Sequence, residues 1–421
     1  MAAVLIIILF ITGYIAIAFE HPLKLNKAAS ALITGVLCWT IYILQSQETN
    51  IVVEELLRHL GEIASILFFL LGAMTIVELI DSHNGFDIIA QNITTSSKRK
   101  LLLIIATLTF FISAILDNLT TAILMTSLCS KLLKEKEDRL WFAGMIIISA
   151  NAGGAWSPLG DVTTTMLWVG GQITALNIMK VLFLPSIMVC IIPAFIISFR
   201  FKGQKFEILS LAENTKKETR DSKIILFSGI GFLIFVPVFK NFTHLPPFMG
   251  ILLALGIMWL ITSILHKDKI AEYAEKLTVA RALQKIDTPS ILFFLGILLA
   301  VASLQSFGIL KVAASILNST LKNEYLIGTA LGLMSSIVDN VPLVAATQGM
   351  YDLASFPTDH PFWGRNSDSE IASLIAILSR LVSSRYDRQQ SDYSVSSLCT
   401  RNLCQSRYVH HHGINSCSCK D

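Results

Sequence analysis

An acidic and an amide side chain, Asp117 and Asn118, stand in the middle of an otherwise apolar stretch that runs from 101 to 130. A carboxylate at the centre of a lipid bilayer costs roughly 2.5–3.5 kcal/mol even on lenient insertion scales, so chains rarely keep one there without a use. With Thr120 and Thr121 the stretch offers carboxylate, amide and hydroxyl oxygens, which suit hard cations. The pattern predicts a cation site, although an aspartate that only caps a helix is an equal alternative for a single copy.

The same pattern occurs a second time in the chain. The letters S-x-I-x-D-N, which end in Asp117 and Asn118, recur 222 positions later and end there in Asp339 and Asn340. The hexapeptide SILFFL recurs as well, 225 positions after its first copy at 65–70. Two matches at nearly the same offset indicate an internal duplication. The duplication favours the cation-site interpretation over a simple helix cap.

A further polar stretch, SANAGGAWSPLGDVTTTMLW at 149–168, interrupts a run that is otherwise apolar enough to span a membrane. Its glycines and its proline break the helix, because Pro lacks a backbone N–H and Gly is conformationally permissive. The oxygen-bearing side chains around the break are Asn151, Ser157, Asp161, Thr163 and Thr164. The stretch predicts a broken helix beside a cation site, and the alternative is a loop between two short helices.

The composition places the chain in a membrane. Of its 421 residues 53% are hydrophobic and only 15% are charged, against about 25% charged residues in soluble domains. The mean hydropathy is +0.63, and the small net charge of +3 gives no sign of a nucleic-acid partner. The sequence contains no phosphate loop, protease aspartate motif or nucleophile elbow. We therefore expect a lipid-embedded protein that is not an enzyme and has no cofactor.

The basic residues predict the topology of the apolar runs. The runs that are long enough to cross a bilayer lie near 2–19, 28–46, 62–80, 141–169, 179–199, 224–240, 247–265 and 289–306. Lys and Arg are concentrated in alternate loops, which by the positive-inside rule places the N-terminus outside. Both flanks of 101–130 are then cytoplasmic, so this segment is predicted to be a re-entrant hairpin with its tip at Asp117. Five crossings separate the two SILFFL copies, and an odd number inverts the second copy.

We therefore predict an all-α polytopic membrane protein with two inverted repeats, each with a re-entrant hairpin and a broken helix, the second repeat being incomplete. The predicted parts are a first repeat at 1–199 with its hairpin at 101–130 and its broken helix at 141–169, a cytoplasmic linker at 200–223, a second repeat at 224–363 with its hairpin at about 325–350, and an aberrant, disordered tail at 364–421.

These stretches resemble the NhaD family of sodium/proton antiporters, within the ion transporter superfamily that also holds arsenite and dicarboxylate carriers. The resemblance is carried by GYIAIAFEHPLKLNKAASAL at 13–32, HLGEIASILFFLLGAMTIVELID at 59–81, AILDNLTTAI at 114–123, the stretch at 149–168 and SSIVDNVPLVAA at 335–346. It covers roughly 1–363. It implies two inverted repeats with re-entrant hairpins and broken helices, and the movement of Na⁺ or Li⁺ against protons.

The resemblance also implies which polar residues are functional. By residue match they are Asp117, Asn118, Asn151, Asp161, Thr163, Thr164, Asp339, Asn340 and Glu78. For Glu78, near the end of an apolar run, an interfacial position without a transport role is the alternative. Our hypothesis is alternating access, in which Asp117, Asp161 and Asp339 line a cavity at the membrane midplane. Their carboxylates bind Na⁺, and protons compete for the same site.

Two other functions stay open at this point. The first is a Na⁺-coupled carrier of an anion, such as a dicarboxylate or arsenite, from the same superfamily. The second is a membrane-embedded hydrolase. An anion carrier needs a basic side chain at its pocket, and we expect no Arg or Lys within the membrane, which favours cation exchange.

Two further expectations concern the cellular location of the protein and the C-terminal part of its chain. We expect a multi-pass protein of a bacterial inner membrane, with a homodimer left open. The sequence departs from the family after Trp363, where a frameshifted or truncated reading frame is the expected cause. The Cys and His residues beyond this point fit no usual zinc spacing. The departure leaves the activity of this particular polypeptide open.

Overall fold

The computed structural model describes residues 2–86, 88, 95–133, 135–205, 220–267, 277–335 and 339–350. The predicted tail at 364–421 and most of the predicted linker at 200–223 lie outside these residues. Within them the regular structure is helical, apart from one isolated bridge between Ser97 and Lys205. The prediction of an all-α protein is confirmed.

Sixteen helices make up the described part of the chain. In chain order they are α1 Ala2–Ala18, α2 Glu20–Leu23, α3 Lys27–Gln45, α4 Thr49–Ser82, α5 Lys98–Ser113, α6 Asn118–Leu132, α7 Lys136–Ala155, α8 Val162–Val169, α9 Ala175–Arg200, α10 Arg220–Thr243, α11 Pro247–His266, α12 Val279–Lys285, α13 Thr288–Ser306, α14 Ile309–Leu321, α15 Glu324–Met334 and α16 Asn340–Met350.

Among the described helices, six are long and apolar enough to cross a membrane: α3, α4, α9, α10, α11 and α13. This confirms a multi-pass integral membrane protein. The predicted span at 141–169 is not one helix, because α7 ends at Ala155 and α8 begins at Val162. The structure thus places the predicted break between two shorter helices that run through the polar stretch.

The N-terminal end of helix α4 lies earlier in the chain than predicted. The sequence pattern gave a span at 62–80 after a loop, but α4 begins at Thr49 and has 34 residues, about 51 Å of helix. This length exceeds the roughly 30 Å of a hydrocarbon core. The first turns carry the exposed charges of Glu54 and Arg58, so α4 can continue beyond the apolar region into a polar one. Hydropathy alone detects only the apolar part of such a helix.

The helices pack into three groups, each around its own apolar cluster. Helices α1, α3 and α13 form the first, α4, α10 and α11 the second, and α5, α6, α7 and α9 the third. Helices α3 and α13 approach closely at Gly296, where an added Cβ would lie 2.4 Å from the backbone nitrogen of Leu32. Helices α8 and α16 contact each other between the groups.

Three breaks in the helices position the polar residues. The first lies between α5 and α6 at 114–117, the second between α7 and α8 at 156–161, and the third between α15 and α16. Each lies where the sequence predicted a hairpin tip or a broken helix. Residues 336–338 of the third break lie outside the described residues. The inversion of the two repeats and their boundaries remain predictions.

Helix α14 has no counterpart in the predicted spans. It begins after Gly308, whose φ of +81° lies in the left-handed region that favours glycine. It is apolar but has only 13 residues, too few to cross a bilayer, so its length does not predict a span. Helix α14 packs against α13, α15 and α16 and so supports the third break from one side.

Candidate functional site

Each of the three described helices that follow a break, α6, α8 and α16, is capped by the aspartate at its start. The Oδ2 atom of Asp117 accepts hydrogen bonds from the backbone N–H and the hydroxyl of Thr120, both at 3.0 Å, at the start of α6. The Oδ1 atom of Asp161 accepts from the backbone N–H of Thr163 at 2.6 Å and from its hydroxyl at 2.7 Å, at the start of α8. Both aspartates are therefore helix caps, and a cation site at them stays a prediction.

Asn118 joins these two helix starts to the end of a third helix. Its Nδ2 atom donates to Asp161 Oδ2 at 2.8 Å and to Asn151 Oδ1 at 3.0 Å. Asn151 lies in α7, and its own Nδ2 donates to the carbonyl of Ile147 at 3.0 Å. Asp161 is only 3% exposed and Asn151 only 7%. We call Asp117, Asn118, Asn151 and Asp161 the junction.

The ends of the four helices around the junction have opposite polarity. Helices α6 and α8 start there, and a helix N-terminus favours a negative charge by about 0.3–1 kcal/mol. Helices α5 and α7 end there, at Ser113 and Ala155, and helix C-termini present carbonyl oxygens. The Ser113 hydroxyl donates to the Ala150 carbonyl at 2.6 Å and fixes the end of α5 against α7. Carboxylates and helix-end carbonyls, both oxygen ligands, thus occur in the same region.

The remaining predicted residues of this region lie close to the junction in the chain. Thr121 Oγ1 is buried and has no hydrogen-bond partner among the described residues, so it has a lone pair to offer a ligand. The Thr164 hydroxyl donates to the Asp161 carbonyl at 3.0 Å. Ser157 Oγ accepts from the Leu159 N–H at 3.2 Å within the break. Ser157 and Thr164 therefore shape the backbone around Asp161.

The second Asp-Asn pair starts α16. The backbone N–H of Asp339 donates to the hydroxyl oxygen of Tyr14 at 2.7 Å, and its Oδ1 accepts from the Val341 N–H at 3.3 Å. Asp161 interacts electrostatically with both Asp117 and Asp339, so all three acidic groups lie in one region. Asn340 is the first residue of α16.

Two lysines lie at the ends of helices that could span a membrane and contact elements near the acidic residues. Lys240 belongs to α10, one of the six helices able to span, and its Nζ donates to the Trp168 carbonyl at 3.0 Å. Lys27 interacts electrostatically with Asp339, and its Nζ lies 5.1 Å from the ring centre of Phe293. Composition does not tell whether a lysine at the end of an apolar run lies within the membrane or at its surface, because its long apolar stem can be buried there.

Glu78 has partners outside the junction. Its Oε1 lies 2.8 Å from Lys285 Nζ in an ion pair and accepts from the Ser82 hydroxyl at 2.9 Å. These contacts tie the last turns of α4 to the short helix α12. They do not bring Glu78 to the junction.

No three His, Cys, Asp or Glu side chains in the described ranges are close enough together to hold a metal ion. The three carboxylates therefore do not form a closed, resident metal centre in this arrangement. A shared Na⁺ between Asp117, Asp161 and Asp339 stays a prediction.

The sequence pattern missed several side chains that contact this region. Tyr14 lies in the stretch at 13–32, which drew attention only through the family resemblance. Because Tyr14 and Asp339 are far apart in the chain, no local sequence pattern predicts their contact. Gln348 in α16 lies 2.9 Å from the side-chain amide of Gln172 and 3.3 Å from the Met166 carbonyl. An amide in an otherwise apolar helix is the signal that could have identified it.

Replacing Tyr14 by phenylalanine is expected to lower the free energy of unfolding by about 1–3 kcal/mol, because the Asp339 N–H then loses its acceptor. The measurement is thermal and denaturant unfolding in detergent. Tyr42→Phe is the control, since the Tyr42 hydroxyl donates to the half-buried Glu55 side chain and both groups can bind water instead. Equal losses in the two variants would contradict a special role of Tyr14.

Comparison with known proteins gives the following similarities. Residues 7–361 match the family described as citrate transporter, CitMHS. The chain is 47% identical over 358 residues to "Sodium/proton antiporter 1" of Arabidopsis thaliana, covering 85% of this chain and 62% of the relative. It is 43% identical over 364 residues to "Sodium/proton antiporter 2" of the same plant, covering 85% of each.

A bacterial relative shows the same relationship at lower identity. The chain is 30% identical over 375 residues to "Na(+)/H(+) antiporter NhaD" of Vibrio cholerae, covering 82% of this chain and 77% of the relative. The chain thus spans less than two thirds of the length of the first plant relative and more of the other two. The predicted location in a bacterial inner membrane is consistent with the bacterial relative.

Proposed function

The chain is an NhaD-like member of the citrate-transporter family, and on that premise we propose that it exchanges Na⁺ or Li⁺ for protons across a membrane by alternating access. The observation that carries the proposal is the buried carboxylate of Asp161, which Asn118 and Thr163 hold where three helices meet. Such an exchange needs neither a resident cofactor nor a covalent step.

The oxygen atoms of the junction suit a hard monovalent cation. Asp117 and Asp161 supply the negative charge, and Asn151 adds an amide oxygen. Thr121 supports the assignment because its buried hydroxyl has no hydrogen-bond partner among the described residues, at a cost that a bound cation would relieve. Carbonyls at the ends of α5 and α7 can complete the coordination, as unwound backbone does in transporters with broken helices.

Exchange follows if a cation and a proton compete for the same carboxylate. When Asp161 is ionised it attracts Na⁺, and when it is protonated it has lost the charge that the cation needs. A carboxylate that holds either Na⁺ or a proton has no uncompensated charge in the low-dielectric interior, whereas an empty carboxylate does. Reorientation of the loaded site toward either side then moves one ion in each direction.

A Na⁺-coupled anion carrier is the alternative that the family description favours. The basic side chains near the site are Lys27 and Lys240, and each is already in contact with an aromatic ring, of Phe293 and Trp168 respectively. The junction itself is acidic. The names of the plant and bacterial relatives, which are sodium/proton antiporters, agree with cation exchange.

The test is ion exchange by the purified 421-residue chain in proteoliposomes that contain a pH-sensitive dye. We expect external Na⁺ or Li⁺ to drive proton movement, and choline to drive none. Uptake of labelled citrate is measured in parallel. Citrate uptake that depends on Na⁺, without cation-driven proton movement, would favour the anion carrier. Vesicles that respond to neither would refute both proposals for this chain.

Asp117→Asn separates the capping of α6 from the binding of a cation. Asn caps helices about as well as Asp, so its oxygen can still accept from the Thr120 N–H and the fold should be retained. We expect Na⁺-dependent proton movement to be abolished because the charge is gone. Wild-type exchange in this variant would show that Asp117 is only a cap.

A further inference from the structure

Helix α8 is too short to fix its own position. Its eight residues, Val162–Val169, span about 12 Å, well below the length at which a helix is stable alone. Asp161 of the junction stands immediately before its first residue. The position of Asp161 therefore depends on the contacts that hold α8 at both of its ends.

At the far end of α8 the backbone is held by Lys240 of α10. Its Nζ donates to the Trp168 carbonyl at 3.0 Å and lies 4.7 Å from the centre of the Trp168 ring. Trp168 is 2% exposed, and its ring packs edge to face on Phe69 of α4 at 6.3 Å. One ammonium thus joins α10 to the backbone and side chain of a single α8 residue.

The charge of Lys240 matches the helix end that it contacts. Carbonyls in the last turn of a helix lack intrahelical partners and carry partial negative charge, so a cation is favourable there. A lysine whose ammonium group is only hydrated would direct that group toward water and away from other helices. Here the ammonium lies on another helix instead, which indicates a specific contact.

The second contact at this end comes from α16. The Gln348 side chain lies 3.3 Å from the Met166 carbonyl, in the last turns of α8. Because α16 begins at Asn340, directly after Asp339, α8 connects the junction with the helix that follows Asp339. A movement of the far end of α8 would change the geometry at Asp161.

We propose that Lys240 is a positioning residue for transport: by holding the far end of α8, it keeps Asp161 at hydrogen-bond distance from Asn118. The inference rests on the proposed cation exchange for its functional consequence. Lys240 does not touch the transported ion. It acts through the backbone of α8.

The first test compares Lys240→Met with Lys240→Arg in proteoliposomes. We expect the methionine variant to raise the apparent KM for Na⁺ about tenfold with little change in the maximal rate, because the charge-assisted hydrogen bond is lost. Arginine should restore most of the affinity, since it can donate to the same carbonyl. Lys180→Met is the matched control, as Lys180 is an exposed lysine of another spanning helix, α9.

An unchanged KM in Lys240→Met, or an equal rise in Lys180→Met, would overturn the proposal. A lower melting temperature with an unchanged KM would assign Lys240 a structural role only. If Lys240→Met does not fold, Lys240→Gln provides the neutral variant, and the arginine variant still tests whether the charge is needed.

A second readout does not require transport. Protein labelled with 5-fluorotryptophan gives a fluorine resonance for Trp168, which Trp168→Phe identifies. We expect this resonance to shift in Lys240→Met and to stay in place in Lys180→Met. If wild-type protein does not exchange ions, the proposed function fails while this resonance still tests the contact. Identical spectra for wild type and Lys240→Met would refute the contact itself.

Discussion

Replacing Asp161 by asparagine is expected to reduce Na⁺-dependent proton movement at least about a hundredfold, equivalent to ~2.7 kcal/mol. Among the described residues, the carboxylate accepts hydrogen bonds from the Asn118 amide and from the N–H and hydroxyl of Thr163. Bonds to a charged group contribute about 1.5–3 kcal/mol each. In the variant, the N–H₂ group of the asparagine faces one of these donors, which then lacks an acceptor. The asparagine side chain also cannot bind the exchanged proton.

The measurement is proton movement in proteoliposomes over a range of Na⁺ concentrations. Glu54→Gln is the control, because Glu54 is an exposed acidic residue of α4 whose loss removes the same charge elsewhere. We expect this control to exchange like the wild type. Exchange by Asp161→Asn within about twofold of the wild-type rate, in protein that is folded, would remove Asp161 from the mechanism and with it the main support for the junction.

Replacing Gly153 by alanine is the second change with a large expected effect. A Cβ at this position in α7 would lie 2.1 Å from the carbonyl oxygen of Phe110 in α5. Backbone atoms cannot move aside as a flexible side chain can, so α5 and α7 must separate. Overpacking of this kind costs typically about 1–3 kcal/mol. Since Asn151 lies two residues away, the junction should be displaced and exchange should fall at least about tenfold.

The same substitution at another glycine of α7 gives the control. A Cβ at Gly144 would meet nothing within 4 Å, and alanine is the better helix former by about 0.5–1 kcal/mol. We therefore expect Gly144→Ala to leave exchange intact and to unfold at the wild-type temperature or above. Both variants are compared by thermal unfolding and by exchange. Equal behaviour of the two would show that the close contact between α5 and α7 can relax without consequence.

The positions of the helix breaks could be predicted from the sequence because they depend on local chemistry. Asp117 and Asp161 are good helix caps, and Pro158 and Gly160 lie in the second break. Gly153 and Gly154, which were also expected to break the helix, stay within α7. In a bilayer a segment must satisfy its own backbone hydrogen bonds, so a break in the apolar pattern becomes a break in the helix. The membrane class and the candidate residues of the first hairpin and broken helix follow from the same local signals.

The N-terminal turns of α4 and the whole of α14 could not be predicted in this way. The N-terminal turns of α4 contain charged residues, which lower their hydropathy below that of a span, and α14 has only 13 residues, too few to cross a bilayer. Hydropathy reports transfer into lipid and not helix formation, so helices that leave the apolar region or lie along it give no such signal. Length and composition place these segments in loops, and packing against α13, α15 and α16 makes α14 a helix.

The sequence by itself determined that this is a helical membrane protein with acidic and amide residues at breaks within apolar runs. Only the tertiary structure decided which of these residues meet: Asn118 with Asp161, Tyr14 with Asp339, and Lys240 with the carbonyl of Trp168. The reason is that a helix in lipid satisfies its backbone internally, so local sequence sets its ends but leaves its rotation and neighbours free. Those are fixed by side-chain packing between segments that are far apart in the chain.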